Sequence, residues 1–397
     1  AQDHRAGGGS ALKVGRTIAL CALASLLDGY DIQALGLSIP GMAKEFGTVP
    51  TALTIAVTAS LIGMALGAIG LGPLGDRFGR KPTLVAFLLL IGVTTLGVMT
   101  AAAPLPLAVW RFFSGLGMGA IIPVAIAIVA EAAPVQRRTA LITLMIACSP
   151  VGSFVAGFAA PHLEPAYGWQ GIFGLGGVLT IIAGLAIWLA LPGTALVKTE
   201  LKPTVASLFT PQFRARTGLL WIIFAANLFV TYSLISWLPT VLGAAGWAKP
   251  EAQRATGMMS LGGVCGGLAM AWAADRGRAV PVFATAYVVS AGLFVMFVIG
   301  PDSRGAWLAL LALIGAGAIG SQMALGSFSA SFYPGEIRAT GLGWSGGIGR
   351  IGAIIGPLVM ALMLRHHVAG GLTLALLMIP MLLSAVSIIW LGRALRG

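Results

Sequence analysis

The chain has 397 residues, of which 58% are hydrophobic and only 9% are charged. Together with a mean hydropathy of +0.95, this composition excludes an ordinary soluble fold and indicates a polytopic membrane protein whose main surroundings are the lipid bilayer. The formal net charge of +12 is therefore no sign of nucleic-acid binding. It reports instead on which side of the membrane the loops lie.

Twelve apolar stretches are long enough to cross a membrane as helices. They cover approximately residues 16–40, 50–73, 82–102, 105–130, 139–162, 170–191, 215–243, 253–274, 280–300, 305–332, 339–364 and 370–392. The longest connection separates the sixth span from the seventh. We therefore predict an all-α protein with an N-terminal tail (1–15), a first six-helix bundle (16–191), a linker (192–214), a second six-helix bundle (215–392) and a C-terminal tail (393–397).

The lysine and arginine residues indicate the orientation of the spans. If both termini are cytoplasmic, 17 of the 24 basic residues lie on the inner side, 5 lie on the outer side, and Arg111 and Arg350 lie within spans. Basic residues concentrate in the cytoplasmic loops of membrane proteins. We therefore expect a multi-pass protein of the inner (plasma) membrane with both termini and the linker in the cytoplasm.

A short motif recurs on the same side of the membrane in both halves. Asp-Arg-Phe-Gly-Arg-Lys at 76–81 follows the second span, and Asp-Arg-Gly-Arg at 275–278 follows the eighth, 199 residues later. This repetition indicates two parallel six-helix repeats around a central cavity. We interpret these loops as a cytoplasmic gate that meets acids at nearby span ends, although positive charge that merely retains the loops inside is an alternative. The predicted gate consists of Asp76, Arg77, Arg80, Lys81, Glu131, Asp275, Arg278 and Glu336.

Among the 12 acidic residues, only Asp28 and Asp31 lie in the middle of a span. A carboxylate at the bilayer centre costs roughly 2.5–3.5 kcal/mol on insertion scales. Because the two residues are three positions apart, we expect both to point from one helix face into a cavity or toward cations. Burial and mutual repulsion favour protonated carboxyls, and no histidine lies in mid-span, so we interpret the pair as the proton-coupling groups. A helix cap at a break near Gly29 is the alternative.

Arg111 in the fourth span and Arg350 in the eleventh are candidate substrate ligands. An arginine can hold a carboxylate through two parallel hydrogen bonds, which a lysine cannot reproduce. We favour substrate binding for Arg350, because it comes from the opposite half to Asp28 and lies at a similar depth. For Arg111, substrate binding and a static pair with an aspartate of its own half stay equally open.

The sequence resembles the major facilitator superfamily over essentially its whole length. The signature Gly-Pro-Leu-Gly-Asp-Arg-Phe-Gly-Arg-Lys at 72–81 and the fourth-span motif at 111–119 carry this resemblance. Asp-Gly-Tyr-Asp at 28–31, the segment 333–341 and the glycine-rich segment 349–357 resemble its aromatic acid:proton symporters. The resemblance implies the major facilitator fold, a monomer, and import of an aromatic carboxylate, such as benzoate or a hydroxybenzoate, with protons by alternating access.

An aromatic substrate needs a flat apolar slot with a few polar groups. Aromatic or amide side chains within the spans could supply it, although for each of them taken singly a packing role is favoured over a lining role. Tyr30 and Trp344 rank higher than the others because they share helices with the charged residues. The candidates are Tyr30, Asn227, Tyr232, Trp237, Gln322, Phe328 and Trp344.

Two other functions fit the same pattern. One is a proton-coupled exporter of organic acids or drugs, and the other is a sensor that binds its ligand without moving it. The spans contain no nucleophile–base arrangement and no cluster of metal ligands, so we predict no enzyme activity, metal or cofactor. Cys21, Cys148 and Cys265 all lie in apolar segments, which implies neither a disulfide nor a metal site.

Overall fold

The computed structural model describes residues 3–71, 74–134, 137–191, 205–274, 276–300, 303–330, 332–333 and 335–393. Within these ranges, the side chains at 3–13, 76, 139, 205, 327, 330, 335, 336, 338 and 339 are not described.

In the described part of the chain, 12 helices are long and apolar enough to cross a membrane, and no strand is present. The prediction of an all-α polytopic protein is therefore confirmed. We number the helices α1 (Asp3–Glu45), α2 (Pro50–Leu71), α3 (Arg80–Val98), α4 (Pro104–Ala132), α5 (Arg138–Tyr167), α6 (Gln170–Ala190), α7 (Arg214–Ala244), α8 (Lys249–Ala274), α9 (Ala279–Ile299), α10 (Arg304–Ala330), α11 (Gly335–Arg365) and α12 (Gly370–Arg393).

Some helix ends differ from the predicted ones, and the differences have local causes. Helix α3 begins at Arg80 because Gly79, with φ of +92°, has a backbone conformation that ends a helix. Helix α8 begins at Lys249 rather than near residue 253. Its first turn contains Pro250 and Glu251, which are polar or non-donating residues that suit a helix N-terminus but hide it from a hydropathy search.

The same close helix packing occurs in both halves. A side chain at Gly63 in α2 would collide with the carbonyl oxygen of Phe112 in α4, and one at Gly262 in α8 would collide with that of Ala312 in α10. Gly63 and Gly262 are 199 residues apart, the same offset as the repeated loop motif. Glycine lets membrane helices approach closely, so the repeat extends from the loops into the helix interfaces.

Among the described residues, the two halves contact each other through the helix pairs α1 with α7, α2 with α11, α5 with α8 and, less extensively, α5 with α10. Glu164 at the end of α5 accepts hydrogen bonds from Lys249 and from Gln253 of α8. Nearer the centre, Gly36 of α1 lies directly against the carbonyl oxygen of Ile235 in α7. We call this side of the molecule the Lys249 end and the opposite side the Arg80 end.

Candidate functional site

A cavity of about 260 Å³ lies between the two halves at mid-depth. Helices α1 and α5 of the first half and α7, α8, α10 and α11 of the second half contribute to its wall. The wall is mostly apolar, and Arg350 is the charged residue in it. The contacts of Gly36 with Ile235 and of Glu164 with α8 close the protein on the Lys249 side of this cavity.

Arg350 enters the cavity from α11 without a carboxylate partner among the described residues. Its Nη1 lies 3.5 Å from the hydroxyl oxygen of Tyr232, to which it donates, and 3.9 Å from the sulfur of Met64. None of the ion pairs formed between described side chains includes Arg350. The guanidinium therefore keeps hydrogen-bond donors for another group, and Met64 brings the first half of the protein close to it.

Both carboxylate oxygens of Asp31, in contrast, accept hydrogen bonds. Its Oδ2 accepts a 2.6 Å hydrogen bond from Nη1 of Arg111, and its Oδ1 accepts a 2.7 Å bond from the hydroxyl of Thr95. The hydroxyl of Ser114 lies 3.4 Å from Oδ2, and Arg111 also donates to Ser60 at 3.2 Å. Asp31 and Arg111 are 2% and 1% exposed. The ion pair ties α1 to α4, and the hydrogen bond from Thr95 ties α1 to α3, inside the first half.

Asp28 is buried but unpaired. Its Oδ1 has no hydrogen-bond partner among the described residues, and the side chain is 5% exposed. It lies one turn before Ile32, which lines the cavity, and it interacts electrostatically with Arg350 and Tyr232 of the other half. A buried carboxyl that faces a guanidinium across the interface can respond both to protons and to an anion at Arg350.

The two carboxyls were expected on one helix face, directed into a cavity or toward cations, but in the structure they face different helices and different arginines. Residues three positions apart differ by about 60° in direction around a helix. That difference turns Asp31 toward α3 and α4 and leaves Asp28 on the side of α7 and α11.

Three of the predicted substrate ligands line the cavity, namely Arg350, Tyr232 and Gln322. Arg111 is outside this lining and touches a much smaller neighbouring space. The hydroxyl of Tyr30 donates to the carbonyl oxygen of Ile172 at 3.0 Å, which fixes it against α6.

The other four candidates lie in helix packing outside the cavity lining. The amide of Asn227 donates to Ala318 and Ser321, which joins α7 to α10. The indole of Trp237 donates to the carbonyl oxygen of Pro357 at 3.0 Å. Phe328 packs on other aromatic rings. Trp344 is 42% exposed and stacks on a tryptophan of α7.

Most of the cavity wall was not predicted from the sequence. The additional lining residues are apolar, small or hydroxylated side chains that do not stand out in an apolar span. A weak signal exists in the repeated hydroxyls of α5 and in the helical spacing along α7. The residues are Ile32, Ile146, Ser149, Pro150, Ser153, Phe224, Leu228, Thr231, Ile235, Ser260, Ile319, Met323 and Gly346.

The predicted gate loop makes contacts within the first half. Arg80 forms a 2.6 Å ion pair with Glu131 at the end of α4 and donates to the carbonyl oxygen of Ala127 at 2.9 Å. Arg77 lies over the ring of Phe78, and Lys81 lies over the ring of Trp188. In the second half, Arg278 immediately precedes α9 and is exposed. The side chains of Asp76 and Glu336, and the whole of Asp275, lie outside the described residues.

The described residues contain no group of three or more His, Cys, Asp or Glu side chains that could hold a metal ion. Two carboxyls lie near the cavity. Asp31 is paired with Arg111, whereas Asp28 is unpaired and faces Arg350. Twelve membrane helices in two related halves, with such a cavity between them, define a secondary transporter of the inverted- or parallel-repeat type.

The chain belongs to the major facilitator superfamily. The sequence profile described as Major Facilitator Superfamily matches residues 21–357. The chain is 33% identical to the 4-hydroxybenzoate transporter PcaK of Pseudomonas putida over 95% of this chain and 92% of that protein. It is 31% identical to the gallate transporter of the same organism over 95% of this chain and 91% of that protein.

A solved structure supports the fold. A bacterial homologue of the human lysosomal transporter Spinster, in an inward-facing and unoccupied conformation, superposes with a TM-score of 0.76. The comparison covers 96% of this chain and 97% of that one at 14% identity. At this identity, the likeness concerns the fold alone.

Proposed function

We propose that the protein is a proton-coupled secondary transporter that imports an aromatic carboxylate by alternating access. The observation that carries this proposal is the pairing pattern at the cavity. Arg350 has no carboxylate partner among the described residues, and the neighbouring Asp28 has an oxygen without a hydrogen-bond partner. A static structural role would have paired the two groups, as it does for Asp31 and Arg111.

The size and lining of the cavity support a small aromatic acid. Its volume of about 260 Å³ is below the ~300–1,000 Å³ of sites for drug-sized ligands. This volume accommodates a single aromatic ring, and Arg350 in the wall favours an anion over a cationic drug. Arg350 would hold the carboxylate through its guanidinium fork, and the apolar wall, including Phe224 and Leu228, would hold the ring. The names of the relatives, transporters of 4-hydroxybenzoate and gallate, are consistent with this class.

Asp28 is the residue that we propose exchanges the coupled proton. An unpartnered carboxylate in an apolar setting is costly, so the group is stable either with a proton or with a cation nearby. When substrate occupies Arg350, the guanidinium no longer compensates the charge of Asp28, which then retains its proton. Release of the substrate restores the attraction between Arg350 and Asp28 and favours loss of the proton. Substrate and proton would thus travel together.

Asp31 and Arg111 would have a different part in the same mechanism. Their ion pair, with Thr95 and Ser114, ties three helices of the first half together. We propose that it positions α1, and hence Asp28, when the halves move relative to each other. The pair itself would then stay intact through the transport cycle.

We further propose the inner membrane as the location of the protein, with both termini in the cytoplasm. Seventeen basic residues on that side against five on the other support it. The Arg80 end is then cytoplasmic, and the closed Lys249 end corresponds to an inward-facing state. We propose two six-helix bundles, at 16–191 and 215–392, joined by the linker 192–214. We also propose a cytoplasmic gate, formed by the loops at 76–81 and 275–278 together with Glu131 and Glu336. The transporting unit would be a monomer.

Purified protein in liposomes tests the proposal. Labelled 4-hydroxybenzoate should accumulate when the outer solution is more acidic, and a protonophore should abolish the accumulation. Arg350→Lys keeps the charge but loses the two-pronged donor geometry, so uptake should fall at least about tenfold. Accumulation that ignores the proton gradient would contradict coupling, whereas accumulation only when the lumen is acidic would indicate export.

A further inference from the structure

The cavity wall contains a buried amide oxygen to which the transport cycle described above gives no hydrogen-bond donor. Gln322 of α10 lines the cavity, and its Oε1 is buried without a hydrogen-bond partner among the described residues. Two serine hydroxyls in the wall already form hydrogen bonds. The hydroxyl of Ser153 donates to the carbonyl oxygen of Gly29 at 2.9 Å, and that of Ser260 donates to the carbonyl oxygen of Thr256 at 3.4 Å.

A buried acceptor without a donor is unfavourable, and a ligand that supplies the donor relieves this cost. A substrate carboxylate cannot supply it, because an ionised carboxylate only accepts hydrogen bonds. A phenolic hydroxyl can, since it both donates and accepts.

The arrangement of the wall leaves few places for such a hydroxyl. Arg350 on α11 would take the carboxylate, while Ile146, Ile319 and Leu228 offer only hydrocarbon. Thr231 on α7 is a second polar group in the wall, and its buried hydroxyl has no partner among the described residues. A ring held at Arg350 would therefore share the cavity with the polar groups of Gln322 and Thr231.

We infer that Gln322 is a specificity-determining residue that hydrogen-bonds a ring hydroxyl, so that the transporter selects hydroxylated aromatic carboxylates over benzoate. This inference rests on the proposed function and extends it to a substrate subclass. A site built to bond a hydroxyl rejects the analogue that lacks it, because the polar group of the protein is then left unpaired. An apolar slot would not make this distinction.

The test compares benzoate, 3-hydroxybenzoate and 4-hydroxybenzoate with the wild-type protein in liposomes. At least one hydroxybenzoate should bind about 10- to 100-fold more tightly than benzoate in competition for uptake. Equal affinity of all three acids in the wild type would overturn the inference without any variant. Absence of accumulation for all three acids would overturn the proposed function and the inference with it.

Gln322→Met then assigns the preference to this residue, because methionine has similar length and cannot form the bond. The affinity ratio between the preferred hydroxybenzoate and benzoate should fall to within about threefold. Gln33→Met is the matched control, since Gln33 is another buried amide without partners among the described residues but is absent from the cavity lining. It should change both affinities by the same factor. A ratio that survives in Gln322→Met would overturn the assignment.

Discussion

Asp28 and Asp31 are separated by less than one turn of α1, yet their surroundings are opposite. Asp31 accepts hydrogen bonds from Arg111, Thr95 and Ser114, all of which belong to its own half. Asp28 has an oxygen that accepts none from the described residues, and its neighbouring cation, Arg350, belongs to the other half. A charge paired within one half moves with that half. A charge that faces the other half changes its surroundings whenever the halves move.

This difference explains how one helix can serve two purposes. Breaking a buried ion pair by removing one partner is strongly destabilising, so the pair is suited to holding helices together. An unpaired buried carboxyl is suited to changing its charge, since neither state is locked by a partner. We therefore expect substitutions at Asp31 to affect stability first and substitutions at Asp28 to affect coupling first.

The largest expected effect is that of Asp28→Asn. Asparagine has nearly the same shape as a protonated aspartate but cannot release a proton, so accumulation driven by a proton gradient should be lost completely. Exchange of labelled for unlabelled substrate across the liposome membrane should continue, because it needs no net proton movement. Both assays use the same preparation. Gradient-driven accumulation at the wild-type level would exclude Asp28 as the coupling residue.

Asp31→Asn should act mainly on the folded state. It leaves Arg111 buried without its carboxylate, which costs about 3–5 kcal/mol of unfolding free energy. Thermal unfolding of the purified protein in detergent measures the loss. Combining Asp31→Asn with Arg111→Met removes both charges and should recover part of the stability. A single variant as stable as the wild type, with transport lost, would instead make Asp31 a second coupling residue.

A smaller effect is expected from Thr95→Val, which removes one hydrogen bond to the Asp31 carboxylate. Hydrogen bonds to charged groups contribute about 1.5–3 kcal/mol. Thr94→Val is the matched control, because the hydroxyl of the buried Thr94 bonds only to carbonyl oxygens of its own helix, at 2.7 and 3.1 Å. It should lower the unfolding temperature less than Thr95→Val. Equal losses for the two variants would contradict a role of Thr95 at Asp31.

Hydropathy and charge were sufficient to predict the twelve helices, because each span is a long apolar run. They also singled out Asp28, Asp31, Arg111 and Arg350, since charges in mid-span are rare. The sequence did not decide between the two roles considered for Arg111. That choice depends on the rotation and packing of α1 against α3 and α4, which bring Asp31 and not Asp28 to the guanidinium.

The cavity wall was harder to predict, because membrane helices that are apolar all round carry no clear inward face. Trp344 illustrates the difficulty. It is six residues before Arg350 on α11, which corresponds to about 240° around the helix. Gly346, four residues before Arg350, lines the cavity, whereas Trp344 stacks on Trp221. Sharing a helix with a site residue was therefore not enough to place a side chain in the site.

At the Lys249 end, Lys249 and Glu164 form an ion pair that, unlike the pair of Asp31 with Arg111, is partly exposed. Lys249 and Glu164 are 38% and 14% exposed and belong to different halves. Pairs at the surface contribute about 1 kcal/mol or less. Lys249→Met should therefore leave the protein folded but shift it up to about fivefold toward a state that is open at this end.

Accessibility of a cysteine introduced at the Lys249 end to a water-soluble thiol reagent measures this shift, in a background without the three natural cysteines. Arg304→Met is the matched control. The Arg304 side chain faces Glu251 at 3.9 Å, and this exposed pair lies entirely within the second half. Losing it removes a similar surface charge without releasing one half from the other, so labelling should not change. If both variants raised labelling equally, the effect would be one of charge, and the contact between Glu164 and Lys249 would not hold the halves together.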